Sequence, residues 1–172
     1  MRSTKNLTLL SLFIVTVFSV EAQRDRSQRP SPPAQVSKDV NEAKITIDYS
    51  RPSKKGRMIF GDLVKYGEVW RTGANETTWI EVSKDVTIND KKLKAGKYGL
   101  FTIPNEDKWI IIFSKAWNGW GAYDYNKSED VLRITVPVEA LEEVMEVFTI
   151  DVSESGNVTF AWDQTQVTFS IK

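Results

Sequence analysis

The chain has 172 residues, with 23 lysines and arginines balanced by 23 aspartates and glutamates, and it contains neither histidine nor cysteine. The missing residue types exclude Ser-His-Asp and Cys-His catalysis, zinc sites built from His and Cys, and haem ligation by histidine. The balanced charge does not favour nucleic-acid binding, and the length fits a single domain.

The N-terminus has the pattern of a secretory signal peptide. Arg2 and Lys5 precede an apolar run over residues 7–20, and Val20 and Ala22 supply the small residues of a cleavage site. The run is shorter than the roughly 20 apolar residues of a membrane span; an uncleaved anchor is the alternative. We predict a signal peptide over 1–22 and an exported protein, periplasmic or extracellular, without a membrane span after cleavage.

Residues 23–41 contain three of the six prolines and almost no large apolar side chain. Such a segment cannot bury enough surface to offset the entropy lost on ordering. It predicts a Pro-rich flexible arm over 23–41, followed by one folded domain over 42–172.

Alternating apolar and polar residues predict strands in the first half of this domain, and turn residues separate them. A tyrosine that follows a glycine bend also fits a tyrosine corner, in which the hydroxyl bonds upstream backbone. The predicted elements are a strand from Ala43, a strand at Ile80 and Val82, a hairpin over 86–93 turning at Asn89 and Asp90, a tyrosine corner at Tyr98, and a central strand over 109–113.

The second half has the same periodicity, with one short interruption. The predicted elements are a strand over 132–138, one or two helical turns over 140–145, a strand over 148–152, a turn at Gly156, and strands 158–162 and 167–171 paired across Asp163 and Gln164. About eight or nine short strands with little helix predict an all-β fold, a single antiparallel β-sandwich.

Residues 51–79, here called the arginine loop, have a composition that is unusual for regular strands or helices. The loop holds four of the nine glycines and two of the six tryptophans. The glycines indicate repeated sharp turns or close backbone approach. A loop of this length in a compact domain is usually functional.

Several motifs of the chain resemble one known family. They are YSRPSKKGRMIFG over 49–61, VWRTGANETT over 69–78, the Ala95-Gly96-x-Tyr98 corner, and Trp120-Gly121 ahead of a strand bearing Arg133. Together they resemble a family of exported bacterial proteins known as domain of unknown function 2911. The resemblance covers nearly the whole mature domain and implies an exported single-domain protein, but no activity, cofactor or substrate.

The arginine loop carries the main candidate site. Guanidinium and amide groups suit an anionic ligand or a glycan, and a carboxylate beside them would act as base or counter-charge. The same side chains also satisfy buried backbone carbonyls in long loops, so a purely structural polar network is the competing reading. The candidates are Arg51, Arg57, Trp70, Arg71, Asn75 and Glu76.

A second candidate is the aromatic loop, residues 117–125. Trp120, Tyr123 and Tyr125 are separated by small or polar residues and could stack on sugar rings or peptide side chains. The competing reading is a loop folded back so that its tryptophans cap one end of the sandwich.

A weak calcium candidate overlaps the end of this loop. Asp124, Asn126, Ser128 and Asp130 place oxygen ligands at alternate positions. A polar turn before a strand has the same pattern, and the glycine and glutamate of an EF-hand are missing. We expect no cofactor.

These features favour a non-enzymatic binding or structural module for a glycan or small anionic ligand. One alternative is a glycan hydrolase that uses two carboxylates, for which Glu68, Glu76 and Asp124 are available. Another is a module for self-assembly or docking through an edge strand or the N-terminal arm.

Overall fold

A computed structural model describes residues 26–172 and confirms the all-β prediction. Short 3-10 turns lie at Arg26–Gln28 and Lys127–Glu129. The nine strands are β1 (Pro33–Val40), β2 (Ala43–Ser50), β3 (Trp79–Val82), β4 (Val86–Ile88), β5 (Lys91–Leu93), β6 (Gly96–Ile103), β7 (Lys108–Ser114), β8 (Asp130–Val152) and β9 (Asn157–Ser170).

Seven of the strands form one antiparallel sheet in the order β1-β2-β3-β6-β7-β8-β9, and β4 pairs with β5 in a separate ribbon. Strands β2, β3 and β7 occupy the predicted positions. The turn between β4 and β5 has positive φ at Asn89 (41°) and Asp90 (67°), as a two-residue hairpin turn requires. The predicted tyrosine corner is also present, since the Tyr98 hydroxyl donates to the Lys94 carbonyl at 3.0 Å.

Strand β9 folds back on itself at Asp163, where φ is 56°. The Ile171 N–H donates to the Gly156 carbonyl at 2.8 Å, although a straight strand of this length would separate them by roughly 50 Å. The two halves of β9 therefore lie side by side, as the predicted turn at Asp163 and Gln164 requires.

Strand β8 passes around the folded β9. Its register pairs Ala140 with Thr165 and Thr149 with Ala161, with irregularities in between. The helical turns predicted over 140–145 are wrong, because these residues are extended. Their helix propensity is overridden because Ala140 and Met145, at the two ends of this segment, pair with β9, and propensity is only a weak prior against tertiary contacts.

The sheet curls until the chain that follows β2 pairs with β8. Beyond β2, the Pro52 carbonyl accepts from the Phe148 N–H at 2.9 Å, and the Lys54 N–H donates to the Glu146 carbonyl at 2.7 Å. The two packed layers are thus halves of one curled sheet, and the apolar core lies between them. Its largest fully buried side chains include Trp109, Phe113, Phe148, Phe160, Trp162 and Phe169.

Part of the predicted flexible arm is ordered. Residues 33–40 form edge strand β1, which pairs along its whole length with β2. The prediction over 23–41 is corrected here because main-chain hydrogen bonds to β2 do not depend on large side chains. An edge strand also tolerates Pro33 at its first position.

The predicted signal peptide, residues 1–22, lies outside the described residues and stays a prediction. Within residues 26–172, no helix is long and apolar enough to cross a membrane.

Tyr49 links β2 to β8 where the curled sheet closes. Its buried hydroxyl donates to the Ile150 carbonyl at 3.3 Å and accepts from the Ile150 N–H at 3.0 Å. We expect Tyr49→Phe to lower the free energy of unfolding by about 1–3 kcal/mol, because two backbone groups lose their partner. Urea denaturation measures this loss.

Tyr98→Phe is the matched control, since it removes a single hydrogen bond inside one local corner. It should cost about 0.5–1.5 kcal/mol. A loss for Tyr49→Phe no larger than for Tyr98→Phe would show that the hydroxyl bridge between β2 and β8 does not stabilise the closure.

Candidate functional site

The arginine loop and the aromatic loop meet along a short ladder of hydrogen bonds. The Thr77 N–H donates to the Gly119 carbonyl at 2.9 Å, and the Gly121 N–H donates to the Asn75 carbonyl at 3.0 Å. The Thr77 hydroxyl adds a buried bond to the Gly121 carbonyl at 2.8 Å. The two segments singled out in the sequence therefore form one continuous surface.

Trp70 anchors the arginine loop to the sheet. Its N–H donates to the Thr102 carbonyl at 2.8 Å, and its carbonyl accepts from the Thr102 N–H at 2.9 Å. Its indole N–H donates to the Gly73 carbonyl at 3.0 Å. Gly73 has a φ of 151°, and a Cβ there would lie 2.9 Å from the Ser50 carbonyl oxygen, so the turn requires glycine.

The Trp70 indole joins a cluster of aromatic rings. It stacks on Trp162 with ring centroids 6.0 Å apart, and Phe148 approaches it edge-on at 5.2 Å. Phe60 and Trp109 each lie 6.1 Å away. The sequence prediction of Trp70 as a site residue thus falls on a side chain that belongs largely to the core.

Arg71, the next residue, is half-buried and has an unusual environment. Its Nε is buried without an acceptor among residues 26–172, and no carboxylate in that range forms an ion pair with its guanidinium. Its Nη1 lies 2.7 Å from where a Cβ on Gly121 would be, so the guanidinium packs against the backbone of the aromatic loop. Buried charged groups normally have a partner. Arg71 is therefore the candidate for a group that binds something outside the chain.

Two clefts adjoin Arg71, and both are also lined by Trp70. The first, here called the Arg57 cleft, has a volume of about 250 Å³ and is lined in addition by Arg57, Leu63 and Trp162. The second, the Tyr123 cleft, has a volume of about 300 Å³ and includes Tyr123 in its wall. Among the described residues that line either cleft, none is acidic.

The other two predicted arginines have protein partners. Arg51 donates from Nε to the Phe148 carbonyl at 3.2 Å and from Nη2 to the Thr149 hydroxyl at 2.9 Å, which fits the structural reading. Arg57 is exposed, and its Nε and Nη2 donate to the carbonyls of Lys54 and Ser53. Arg57 nevertheless lines a cleft with Arg71, whereas Arg51 lines neither.

Asn75 and Glu76 hold the segment that precedes β1. The Asn75 amide donates to the Ser31 carbonyl at 2.9 Å. Glu76 accepts two bonds from Arg29, at 2.7 and 3.0 Å, and lies 3.5 Å from Arg26. Both arginines lie in the segment that was predicted to be flexible, and their role was missed because nothing near them in sequence indicates a partner.

The pairing sets the ionisation of Glu76. Partial burial alone would raise its pKa, but hydrogen bonds from Arg29 and the charge of Arg26 hold the pKa below its usual value. Glu76 is thus an anion at neutral pH and is poorly suited to act as a general acid.

Of the three aromatic candidates, two contact other side chains of the protein and one lines a cleft beside Arg71. The Tyr125 hydroxyl donates to Asp130 at 2.8 Å, and burial together with this carboxylate raises its pKa. Trp120 is half-exposed and lies under the Arg29 guanidinium, 5.9 Å from its ring centroid. Tyr123 is 83% exposed and is the one of the three that lines a cleft beside Arg71.

Two of the calcium candidates, Asn126 and Asp130, are hydrogen-bonded to other groups of the protein. The Asn126 side-chain oxygen accepts from the Ser128 N–H at 3.0 Å, and one Asp130 oxygen accepts from Arg133 at 2.7 Å. Asp124 lines a small cavity of about 60 Å³ beside Trp120. In the described part of the chain, no three His, Cys, Asp or Glu side chains group in a way that could hold a metal ion.

The chain belongs to the family described as Protein of unknown function (DUF2911), whose profile matches residues 31–171. The resemblance inferred from the sequence motifs is confirmed. This description names no activity, ligand or cofactor. No curated protein and no solved structure was found to match the chain.

Substitution by methionine should change the free energy of unfolding far more at Arg51 than at Arg71. Arg51→Met removes two hydrogen bonds from a charged donor, so we expect a loss of about 1.5–3 kcal/mol in the free energy of unfolding. Arg71→Met removes a guanidinium whose Nε has no acceptor, so stability should change by less than about 0.5 kcal/mol or increase. Urea denaturation measures both. A loss for Arg71→Met as large as that for Arg51→Met would assign Arg71 to the structural network.

Glu76 should make stability depend on pH. Because its folded pKa is lowered, its contribution is present above the unfolded pKa and is lost as pH falls through the folded value. Glu76→Gln should therefore lower the free energy of unfolding by about 0.5–1 kcal/mol at pH 7, since the pair is partly exposed, and by less at pH 3, where Glu76 is more protonated.

Glu68→Gln, at an exposed position of the same loop, is the control and should have little effect at either pH. An equal loss for Glu76→Gln at pH 7 and pH 3 would show that the charge of Glu76 does not hold the N-terminal segment.

Proposed function

We propose that this protein binds a small organic anion, through a carboxylate or phosphate group held by Arg71, where the arginine and aromatic loops meet. The observation that carries the proposal is the half-buried guanidinium whose Nε lacks an acceptor among the described residues, between two open clefts. Clefts with a few convergent polar groups are the usual location of small-molecule sites.

The chemistry of the guanidinium favours an anion. Arginine is always charged, and its planar donors match the two oxygens of a carboxylate or phosphate. Leaving a charged donor partly desolvated without a partner is unfavourable, so a bound anion would satisfy a group that the protein itself does not.

An anion also fits the clefts better than a neutral glycan. A sugar hydroxyl both donates and accepts hydrogen bonds, so a glycan site benefits from carboxylates that accept from it. The described lining of both clefts carries arginines and no carboxylate. The charge of the lining thus supports a ligand with anionic acceptors.

Binding is favoured over hydrolysis. A glycan hydrolase needs one carboxylic acid with a raised pKa and a second carboxylate across the substrate. Of the three available carboxylates, Glu76 is engaged by Arg29 and has a lowered pKa. Neither Glu68 nor Asp124 lines a cleft beside Arg71.

Calorimetric titration with sodium acetate, inorganic phosphate and neutral acetamide tests the proposal. We expect at least one of the two anions to bind and acetamide not to bind. Arg71→Gln should weaken anion binding at least tenfold, because the charged donor is lost, and Arg71→Lys should be intermediate, because an ammonium cannot bind bidentately.

Lys38→Gln removes one positive charge from an exposed position of β1 and controls for the general field of the protein. It should leave the affinity unchanged at fixed ionic strength. Equal weakening by Arg71→Gln and Lys38→Gln, or acetamide binding as tightly as acetate, would reject Arg71 as the anion site.

A further inference from the structure

We infer that the anion carries an aromatic ring, and that this ring lies in the Arg57 cleft while its carboxylate binds Arg71. The inference rests on the proposed function and names the class of ligand. It follows from the walls of the cleft, the charges beside them and the volume they enclose.

The tryptophans in the wall of the Arg57 cleft have no free donors. Trp70 and Trp162 stack at 6.0 Å with their planes 19° apart. Both indole N–H groups are used internally, by the Gly73 carbonyl at 3.0 Å and the Glu146 carbonyl at 3.3 Å. Trp162 is buried, so the apolar surface that a ligand meets comes mainly from the partly buried Trp70 and from Leu63. Such carbon surface favours a ring over a hydroxyl-rich group.

The charges beside these walls are positive. Arg57 is fixed by bonds from its Nε and Nη2 to the carbonyls of Lys54 and Ser53. No bond from its Nη1 to another residue of the described range is present. Arg57 and Arg71 therefore both face the ligand in a cleft whose described lining has no acid, so an amphipathic anion fits.

The volume admits a ligand of this class. About 250 Å³ is enough for one six-membered ring with a carboxylate. The Tyr123 cleft offers the ring less cover, since Tyr123 itself is 83% exposed.

Titration of the full protein with benzoate, acetate and benzamide tests the inference, because benzamide keeps the ring without the charge. We expect benzoate to bind at least tenfold tighter than either of the other two. Arg71→Gln should weaken both benzoate and acetate, whereas loss of the apolar wall should weaken benzoate alone.

Two substitutions in the arginine loop separate these effects. Leu63 is 46% exposed and lines the Arg57 cleft, so Leu63→Ser should weaken benzoate about three- to tenfold and leave acetate unchanged. Met58 is 67% exposed and does not line the cleft, so Met58→Ser should change neither. Both positions are on the surface, and an unchanged melting temperature verifies folding.

The possible failures are distinguishable. If acetate and benzoate bind equally and both require Arg71, the ring is rejected while the anion site stands. If Tyr123→Ser removes the advantage of benzoate and Leu63→Ser does not, the ring lies in the Tyr123 cleft and the assignment to the Arg57 cleft is wrong. If no anion binds, both the inference and the proposed function are rejected.

Discussion

The anchoring of Trp70 is the constraint on which the candidate site depends. Its backbone pairs in both directions with Thr102 of β6, and its indole lies within the aromatic cluster of the core. Arg71 follows directly, and its guanidinium packs against the backbone of the aromatic loop at Gly121. Trp70 thus fixes one wall of both clefts and the start of the segment that carries Arg71, which would keep the entropy lost in the proposed binding small.

The fold was predictable from the sequence wherever an element is determined by its own residues and not by distant partners. Period-two alternation located most of the strands, and the Asn89-Asp90 pair located a hairpin whose positive φ values only a few residue types adopt readily. Strand β1 was missed because its order comes from main-chain pairing with β2, which its own side chains do not reveal. The helix predicted over 140–145 is wrong because pairing of Ala140 and Met145 with β9 outweighs the helix propensity of the segment.

The candidate site was only partly predictable. Its structural and its candidate ligand-binding residues are of the same types, and they differ only in hydrogen-bond partners that are distant in sequence. Arg51 bonds a carbonyl 97 residues away, and Asn75 bonds one 44 residues away. No local pattern distinguishes these arginines and amides from Arg71. The sequence therefore singled out two loops that lie together in the structure, without showing which of their side chains are committed to the fold. It also gave no indication of Arg26 and Arg29, since both lie in a segment of disordered composition.

The residues of the arginine loop that form the structural network are not those on which the proposed ligand binding rests. Arg51, Asn75 and Glu76 bond backbone or opposite charge and hold the loop against β8 and the N-terminal segment. An irregular loop without such bonds would adapt until Arg71 found an acceptor of its own, because an unpaired desolvated guanidinium is unfavourable. The network prevents this adaptation. A rigid polar scaffold is thus the physical reason that one guanidinium can stay unpaired between two clefts, and an anion is the chemical partner that such a group selects.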